Sequence, residues 1–234
     1  MKLIGLVGGM SWQSTLLYYR LLNEEVEKRL GGVHSARILM HSVDFERLAR
    51  VSSKEEQQKA LKHLQEVCVG LEKGGADFLL LCSNTIHFFA DGIQEVIGIP
   101  LLHIAEATGE CIQEAGLDCV GLLGTRHTMK QPFYRQRLEK RGLRVVTPEH
   151  DDTLAVHSII FDELIRGEIL ETSLANIKQV VQRLEEKGAQ GMILGCTELP
   201  LLMKQTDFDL PLFDTTTIHA MAASRMAFSS SIGA

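Results

Sequence analysis

This chain has no excess of positive charge: 24 Lys and Arg stand against 30 Asp and Glu, a formal net charge of -6. Without a basic stripe to track a phosphate backbone, nucleic acid is not expected as a partner. Apolar runs such as Phe78-Leu79-Leu80-Leu81-Cys82 fall far short of the roughly 20 residues that span a bilayer, so no membrane segment is expected. Met1-Lys2-Leu3 leads straight into a strand-like segment with no signal-peptide pattern, and a cytoplasmic location is the expectation. The five cysteines, at 68, 82, 111, 119 and 196, include no CxxC pair and no short spacing of a zinc or disulfide framework. Low-complexity segments and long linkers are also missing, and only residues 229–234 read as a frayed tail.

What is present is the ordinary material of a globule. The chain has 234 residues, 45% hydrophobic and 23% charged, enough to bury a proper core without staples and enough for one large domain or two small lobes. Short β-branched and Leu-rich runs alternate with longer helical patterns, the signature of βα units around parallel strands. Strands are expected at 2–7, 36–41, 77–81, 119–123, 144–146 and 190–194, with two shorter runs at 99–102 and 210–213 that straddle prolines and suit edge strands or crossovers. Ala60, Leu61, Leu64, Val67, Cys68 and Leu71 recur at helical spacing, as do Ile177, Val180, Val181 and Leu184.

The chain repeats itself. Gly5-Leu6-Val7-Gly8 returns as Gly121-Leu122-Leu123-Gly124, 116 residues on. Glu72-Lys73-Gly74 and Leu80-Leu81-Cys82 return as Glu186-Lys187-Gly188 and Leu194-Gly195-Cys196, 114 residues on. Ile99-Pro100-Leu101-Leu102 returns as Leu210-Pro211-Leu212-Phe213, 111 residues on. Matched landmarks in constant order imply two similar lobes of about 110 residues related by a pseudo-twofold axis.

In both repeats a cysteine ends an apolar strand and small polar residues follow: Cys82-Ser83-Asn84-Thr85 and Cys196-Thr197-Glu198. Ligands of open α/β sheets bind at that end of the strands. A helix starting there offers free N–H groups and a positive dipole end, which suit a carboxylate and lower the pKa of a neighbouring thiol. Cys82 and Cys196 are therefore expected at exposed strand ends, facing each other across a cleft between the lobes, with Cys68, Cys111 and Cys119 as core residues. A redox bridge between Cys82 and Cys196 is disfavoured by the missing CxxC and a reducing compartment.

The turn Gly5-Leu6-Val7-Gly8-Gly9-Met10-Ser11 matches neither G-x-G-x-x-G nor G-x-x-x-x-G-K-S/T, so a nucleotide cradle is weakly supported. It reads as a tight βα turn with Ser11 as N-cap, its amides approaching a small ligand, and Thr125 as the counterpart in the second copy. His87, His103 and His219 are expected near the cleft in hydrogen-bonding roles; no HExxH-like pair or convergent ligand set announces a metal.

Ile4-Gly5-Leu6-Val7-Gly8-Gly9-Met10-Ser11-Trp12, His41-Ser42-Val43-Asp44-Phe45, Leu81-Cys82-Ser83-Asn84-Thr85-Ile86-His87, Leu123-Gly124-Thr125 and Gly195-Cys196-Thr197-Glu198 together carry a resemblance over residues 4–220. The chain resembles the aspartate/glutamate racemase superfamily, and within it the branch of aspartate racemases and broad-specificity amino acid racemases. The likeness implies an α/β fold of two pseudo-symmetric α/β lobes with mainly parallel sheets and the active site in the cleft between them. It implies residues 1–102 plus 212–234 in the first lobe and 103–211 in the second, an amino acid as small-molecule partner, a homodimer, and no cofactor.

Carried over position by position, Cys82 and Cys196 fall on the acid/base thiols. Ser83, Asn84, Thr85 and Thr197 fall on residues that hold the substrate's α-carboxylate and amino group, and Met10 and Thr125 on cleft-lining positions, with Ser11 beside them. Glu198 stands where it can polarise the Cys196 thiol. The chemistry agrees: inverting a stereocentre needs a base on one face and an acid on the other. An α-proton is so weakly acidic that donors around the carboxylate must stabilise the charge that develops.

Substrate choice departs from the aspartate pattern. Acid-selective members carry a basic residue two places before the glycine of Phe161-Asp162-Glu163-Leu164-Ile165-Arg166-Gly167, and this chain has Ile165 there. Arg166 is one residue on, a turn of about 100 degrees on a helix, and does not simply substitute. Arg47, Arg50 and Ser52, in the loop after Asp44, are the other candidates for the side-chain end; an arginine clamp would suit a carboxylate, and a solvated loop is the plain alternative. The leading expectation is a racemase for aspartate or glutamate, with a broad or non-acidic range as competitor. The superfamily's hydantoin racemases, maleate isomerases and arylmalonate decarboxylases offer other reactions on the same fold, and an amino acid-binding regulatory protein is the non-enzymatic alternative.

Overall fold

The computed structural model describes residues 1–49 and 53–229, without the side chains of residues 47 and 49. The expectations placed on Arg50, on Ser52, on the Arg47 side chain and on the tail at 230–234 lie outside the described residues. The chain divides into two compact units, Met1–His103 with His219–Ala234, and Ile104–Ile218.

The first unit runs β1 (Ile4–Gly8), α1 (Trp12–Leu30), β2 (Ile38–Ser42), α2 (Glu46–Ala49), α3 (Lys54–Lys73), β3 (Phe78–Leu81), a 3-10 turn (Thr85–Phe89) and α4 (Ala90–Gln94). Its sheet has the order β2-β1-β3, all parallel. Residues of β1 and β3 alternate between two buried faces, which is why these strands read as unbroken apolar runs, whereas the edge strand β2 is half-buried at Ile38 and Leu39 and exposed from Met40 to Ser42. Val7, Leu79 and Leu81 pack with Leu64, Val67, Cys68 and Leu71 of α3. Ile4, Leu6, Phe78, Leu80 and Cys82 pack on the other face with Tyr18 and Leu22 of α1 and with Ala220, Ala223 and Ala227 from the end of the chain. Each long helix starts on a serine: Ser11 accepts from the Ser14 N–H, and Ser53 forms a capping box with Glu56.

The second unit runs α5 (Ile104–Glu114), β4 (Cys119–Gly124), α6 (Arg126–Lys130), α7 (Pro132–Lys140), β5 (Arg144–Val146), α8 (His150–Ser158), α9 (Glu171–Glu186), β6 (Met192–Gly195), α10 (Leu199–Leu202) and β7 (Leu212–Asp214). The order is β5-β4-β6-β7, again all parallel. Leu123, Met192, Leu194 and Cys196 pack with Ile177, Val180, Val181 and Leu184 of α9, while Val120, Leu122 and Ile193 pack with Ile104 and Ile112 of α5 and with Tyr134 and Leu138 of α7. The last helix, α11 (Thr215–Phe228), begins in this unit and ends in the first.

The two proline-flanked runs fare differently. Residues 99–102 form only a single parallel bridge, Leu79 with Leu101, whereas the second run becomes β7, paired with β6. In both, the proline has no N–H to give, and its carbonyl accepts instead: Pro100 from Leu79 N–H and Pro211 from Met192 N–H, both at 2.9 Å. Because β7 is the edge strand of the second sheet, the chain returns to the first unit at His219 rather than at residue 212, and His103 stays with the first unit.

A glutamine clasp holds each of these segments. Gln94 Nε2 donates to the Ile97 and Ile99 carbonyls while its Oε1 accepts from Leu101 N–H. Gln205 does the same with the Phe208 and Leu210 carbonyls and Leu212 N–H.

Candidate active site

The strand registers define which residues of the two units correspond. In the first unit Gly5 pairs with Leu79 and Val7 with Leu81; in the second Gly121 pairs with Met192 and Leu123 with Leu194. Gly5 and Gly121 are the matched glycines of the repeat, so Leu79 corresponds to Met192 and Leu81 to Leu194. The glycines before these strands agree: Gly75 and Gly188 both have φ of +93 degrees. Residue 82 therefore corresponds to Gly195, and Ser83 corresponds to Cys196. The expected equivalence of Cys82 with Cys196 is one residue out of register, and one residue along a strand turns a side chain to the opposite face.

Packing follows that step. Cys82 joins the core beside Tyr18, Leu80 and Ala220, with no exposed surface. Cys196 joins the α9 side of its sheet and keeps 8% of its surface open. The expectation of exposed strand ends fails for both thiols. So does the expectation of lowered pKa. Burial alone pushes Cys82 far above the ordinary thiol value. Burial, followed by the Glu198 carboxylate, pushes Cys196 well above it. The helices that follow are only the 3-10 turn at Thr85 and the single turn of α10, too short for a dipole to offset the loss of hydration. All five cysteines are free thiols.

In the first unit the site segment leaves β3 as Cys82-Ser83-Asn84-Thr85. Cys82 N–H donates to the Val7 carbonyl at 2.9 Å, which ties the segment to β1. Ser83 and Thr85 are half-buried and Asn84 is buried. The Ser83 carbonyl accepts from His87 Nδ1 at 2.8 Å, and His87 packs edge-on to His103 and His219. A carbonyl can only accept, so His219 Nε2 carries the hydrogen it shares with the Leu102 carbonyl, and its Nδ1 accepts from the Tyr18 hydroxyl, both at 2.8 Å. Burial lowers the pKa of this neutral ring to about 4. Beside the segment, the β1 turn carries Gly9 with φ of +92 degrees, and the Val43 carbonyl lies 2.2 Å from where a Cβ would stand, so only glycine fits. Met10, expected to line the cleft, is buried in the cluster that holds Val43 and Ile86.

In the second unit Cys196 Sγ donates to Glu198 Oε2 at 2.9 Å, and Thr197 Oγ1 donates to the same oxygen at 2.7 Å. Thr125 caps α6 as Ser11 caps α1. Thr125 Oγ1 accepts from Thr128 N–H at 3.3 Å and lies 3.2 Å from Thr128 Oγ1. Ser11 Oγ accepts from Ser14 N–H at 3.4 Å and lies 3.0 Å from Ser14 Oγ. Ser14 and Thr128 were not singled out in the sequence, although the shared S/T-x-x-S/T spacing was there to be read. Ile165, which stands where the family resemblance led to the expectation of a basic residue, is 43% exposed.

Among the described residues no group of three or more His, Cys, Asp or Glu could hold a metal ion, and no helix is long and apolar enough to cross a membrane.

Comparison with known proteins agrees with this architecture. The family model described as Asp/Glu/hydantoin racemase matches residues 7–223. A candidate Asp/Glu racemase of known structure from Yersinia pestis is 48% identical, with a TM-score of 0.93 and coverage of 98% of this chain and 100% of that one. An aspartate racemase homologue of known structure from Pyrococcus horikoshii OT3 is 33% identical, with a TM-score of 0.86 over 98% of this chain and 100% of that one. The broad specificity amino-acid racemase RacX of Bacillus subtilis is 25% identical over 225 residues, 93% of this chain and 95% of that protein.

Proposed function

Because this chain belongs to the Asp/Glu/hydantoin racemase family and is an isomerase, we propose that it inverts the α-carbon of amino acids by proton transfer on two faces, without a cofactor, with Cys196 as one of the two acid/base groups. The observation that carries the reading is the hydrogen bond from Cys196 Sγ to Glu198 Oε2, which gives the thiol a proton acceptor of its own. In the free protein burial and the carboxylate keep the proton on sulfur. An incoming α-ammonium group supplies the positive charge that favours thiolate, and the proton then passes to Glu198 with no change in the pair's net charge.

The thiolate takes the α-proton, the electron pair spreads into the α-carboxylate, and a second group delivers a proton to the other face. That second group comes from the segment after β3, residues 82–85. Asn84 and Thr85 there, with Thr125 and Thr197 in the other unit, are the side chains proposed to bind the substrate's carboxylate and amino group. Their donors stabilise the developing charge, Thr197 by turning its hydroxyl from Glu198 to the substrate, and this is the largest help available to so weak an acid. The active form is proposed to be a cytoplasmic homodimer, on the family likeness.

Aspartate and glutamate are the first substrates to test. Exposed Ile165 favours a second reading, a range extending to non-acidic amino acids, as in the relative described as having broad specificity. Each hand of a panel of amino acids is incubated in heavy water and followed by proton NMR. The expected result is deuterium at Cα together with the opposite hand. No Cα exchange for any member would overturn the proposal, and the pattern across the panel decides between the two substrate ranges.

A further inference from the structure

Resting on the racemase reading, we infer that Ser83, not Cys82, supplies the second proton-transfer group. The register places Ser83 at the position in the first unit that Cys196 occupies in the second: each is the second residue after a strand residue, Leu81 or Leu194, that pairs with the third residue of its glycine-bounded strand, Val7 or Leu123. Alternation along a strand sends neighbouring side chains to opposite faces, and up to residue 82 the packing follows it: Leu81 belongs to the cluster on the α3 side and Cys82 to the one on the α1 side. Cys82 lies with Tyr18, Leu80 and Ala220 and exposes nothing, whereas Ser83 is half-buried.

Ser83 is also held in place. His87 Nδ1 donates to its carbonyl at 2.8 Å, and His87 N–H donates to the Asn84 carbonyl at 3.1 Å. The His87 ring is fixed in turn by its edge-on packing on His103 and His219. Hydrogen bonds at both carbonyls hold the backbone from which the Ser83 side chain projects, and a proton-transfer group needs such a fixed base.

The step balances. As the Cα–H bond breaks, an S–H bond forms at Cys196. The Ser83 O–H bond breaks as the new Cα–H bond forms on the other face, leaving an alkoxide. After product leaves, water returns a proton to Ser83 and takes the one that Cys196 had passed to Glu198, which restores the resting thiol and carboxylate with no proton consumed. An alcohol is a much poorer resting base than a thiol, so the unit containing Ser83 is the slower partner of the two.

Three variants decide the assignment: Ser83→Ala, Ser83→Cys and Cys82→Ala, each checked for native circular dichroism. Ser83→Ala is expected to lower kcat for racemisation by about 10²-fold or more with little change in KM. Ser83→Cys should keep or raise kcat and bring in an alkaline thiol limb in its pH profile. Cys82→Ala should stay within about 3-fold of the parent kcat. Full kcat in Ser83→Ala, or loss of kcat in a folded Cys82→Ala protein, would overturn the inference and return the role to Cys82.

A readout independent of turnover separates this idea from the racemase reading itself. In the native protein the residue 83 thiol of the Ser83→Cys variant should react with iodoacetamide at least 10-fold faster than Cys82, read by peptide mass spectrometry. If Cys82 reacts faster, the geometry behind the inference is wrong whatever the enzyme does. If labelling follows the expected order but no amino acid exchanges, the racemase reading fails and the placement of Ser83 stands.

Discussion

Cys196 gives its thiol hydrogen to Glu198 Oε2 at 2.9 Å, and the same oxygen accepts from Thr197 Oγ1. A buried thiol beside a carboxylate holds its proton tightly, because the thiolate would bring a second negative charge to a site poor in water.

Glu198→Gln removes that charge while keeping the shape. Cys196 should then ionise at lower pH and react with iodoacetamide several-fold faster at neutral pH. Racemisation should fall by about 10²-fold, because the thiol's proton has lost its acceptor. An unchanged alkylation rate would show that the carboxylate does not govern the thiol.

At the β1 turn, Gly9→Ala forces a side chain onto a backbone with φ of +92 degrees and a carbonyl 2.2 Å away. The expected cost is about 1–3 kcal/mol, read by urea unfolding, together with loss of activity as the turn shifts. A variant of parental stability would contradict the close approach of Val43.

The two glutamine clasps each make three hydrogen bonds on exposed segments. Gln94→Ala and Gln205→Ala should each destabilise by about 1–2 kcal/mol. The clasps share no partner, so the double variant should be additive within about 0.5 kcal/mol if the chain unfolds in one step. An effect from one clasp and none from the other would break the correspondence between the units.

His219 links pH to stability. Its pKa drops from 6.5 to about 4 on folding, so between those values the unfolded chain binds a proton that the native chain does not. Stability from this group is complete above pH 6.5 and is lost as pH falls towards 4, by about 3 kcal/mol in all. His219→Gln, which can still donate to the Leu102 carbonyl, should flatten the fall relative to the parent in urea titrations at pH 7 and pH 4.5. Parallel pH dependences would place the acid sensitivity elsewhere.

Much of the fold was legible in the chain. The apolar runs predicted the cores of β1, β3, β4 and β6, because a parallel strand covered on both faces has no polar positions to interrupt it. The edges drifted by a residue or two, since strand ends depend on the neighbour's register. The proline runs were ambiguous because a missing N–H says where a hydrogen bond cannot form, not whether a strand continues past it. Cys68 announced itself as core through helical periodicity with Leu64 and Leu71. Cys82 carried no such signal, since a cysteine at a strand end looks the same whether its side chain points into the core or away from it.

The sequence by itself determined that the chain is a duplicated βα array and that each copy ends an apolar strand in a short polar segment, because a buried strand must be apolar and its repeat keeps the same order. Only the tertiary structure decided which residues of the two copies correspond. The cysteines match at a spacing of 114 residues in the sequence, but the hydrogen-bonded pairing of Leu79 with Gly5 and of Met192 with Gly121 matches the strands one residue closer. That single step is invisible to a motif, and the alternation of side chains along a β-strand makes it decide which face each group serves. It buries Cys82 in the core and puts Ser83 in the place of Cys196.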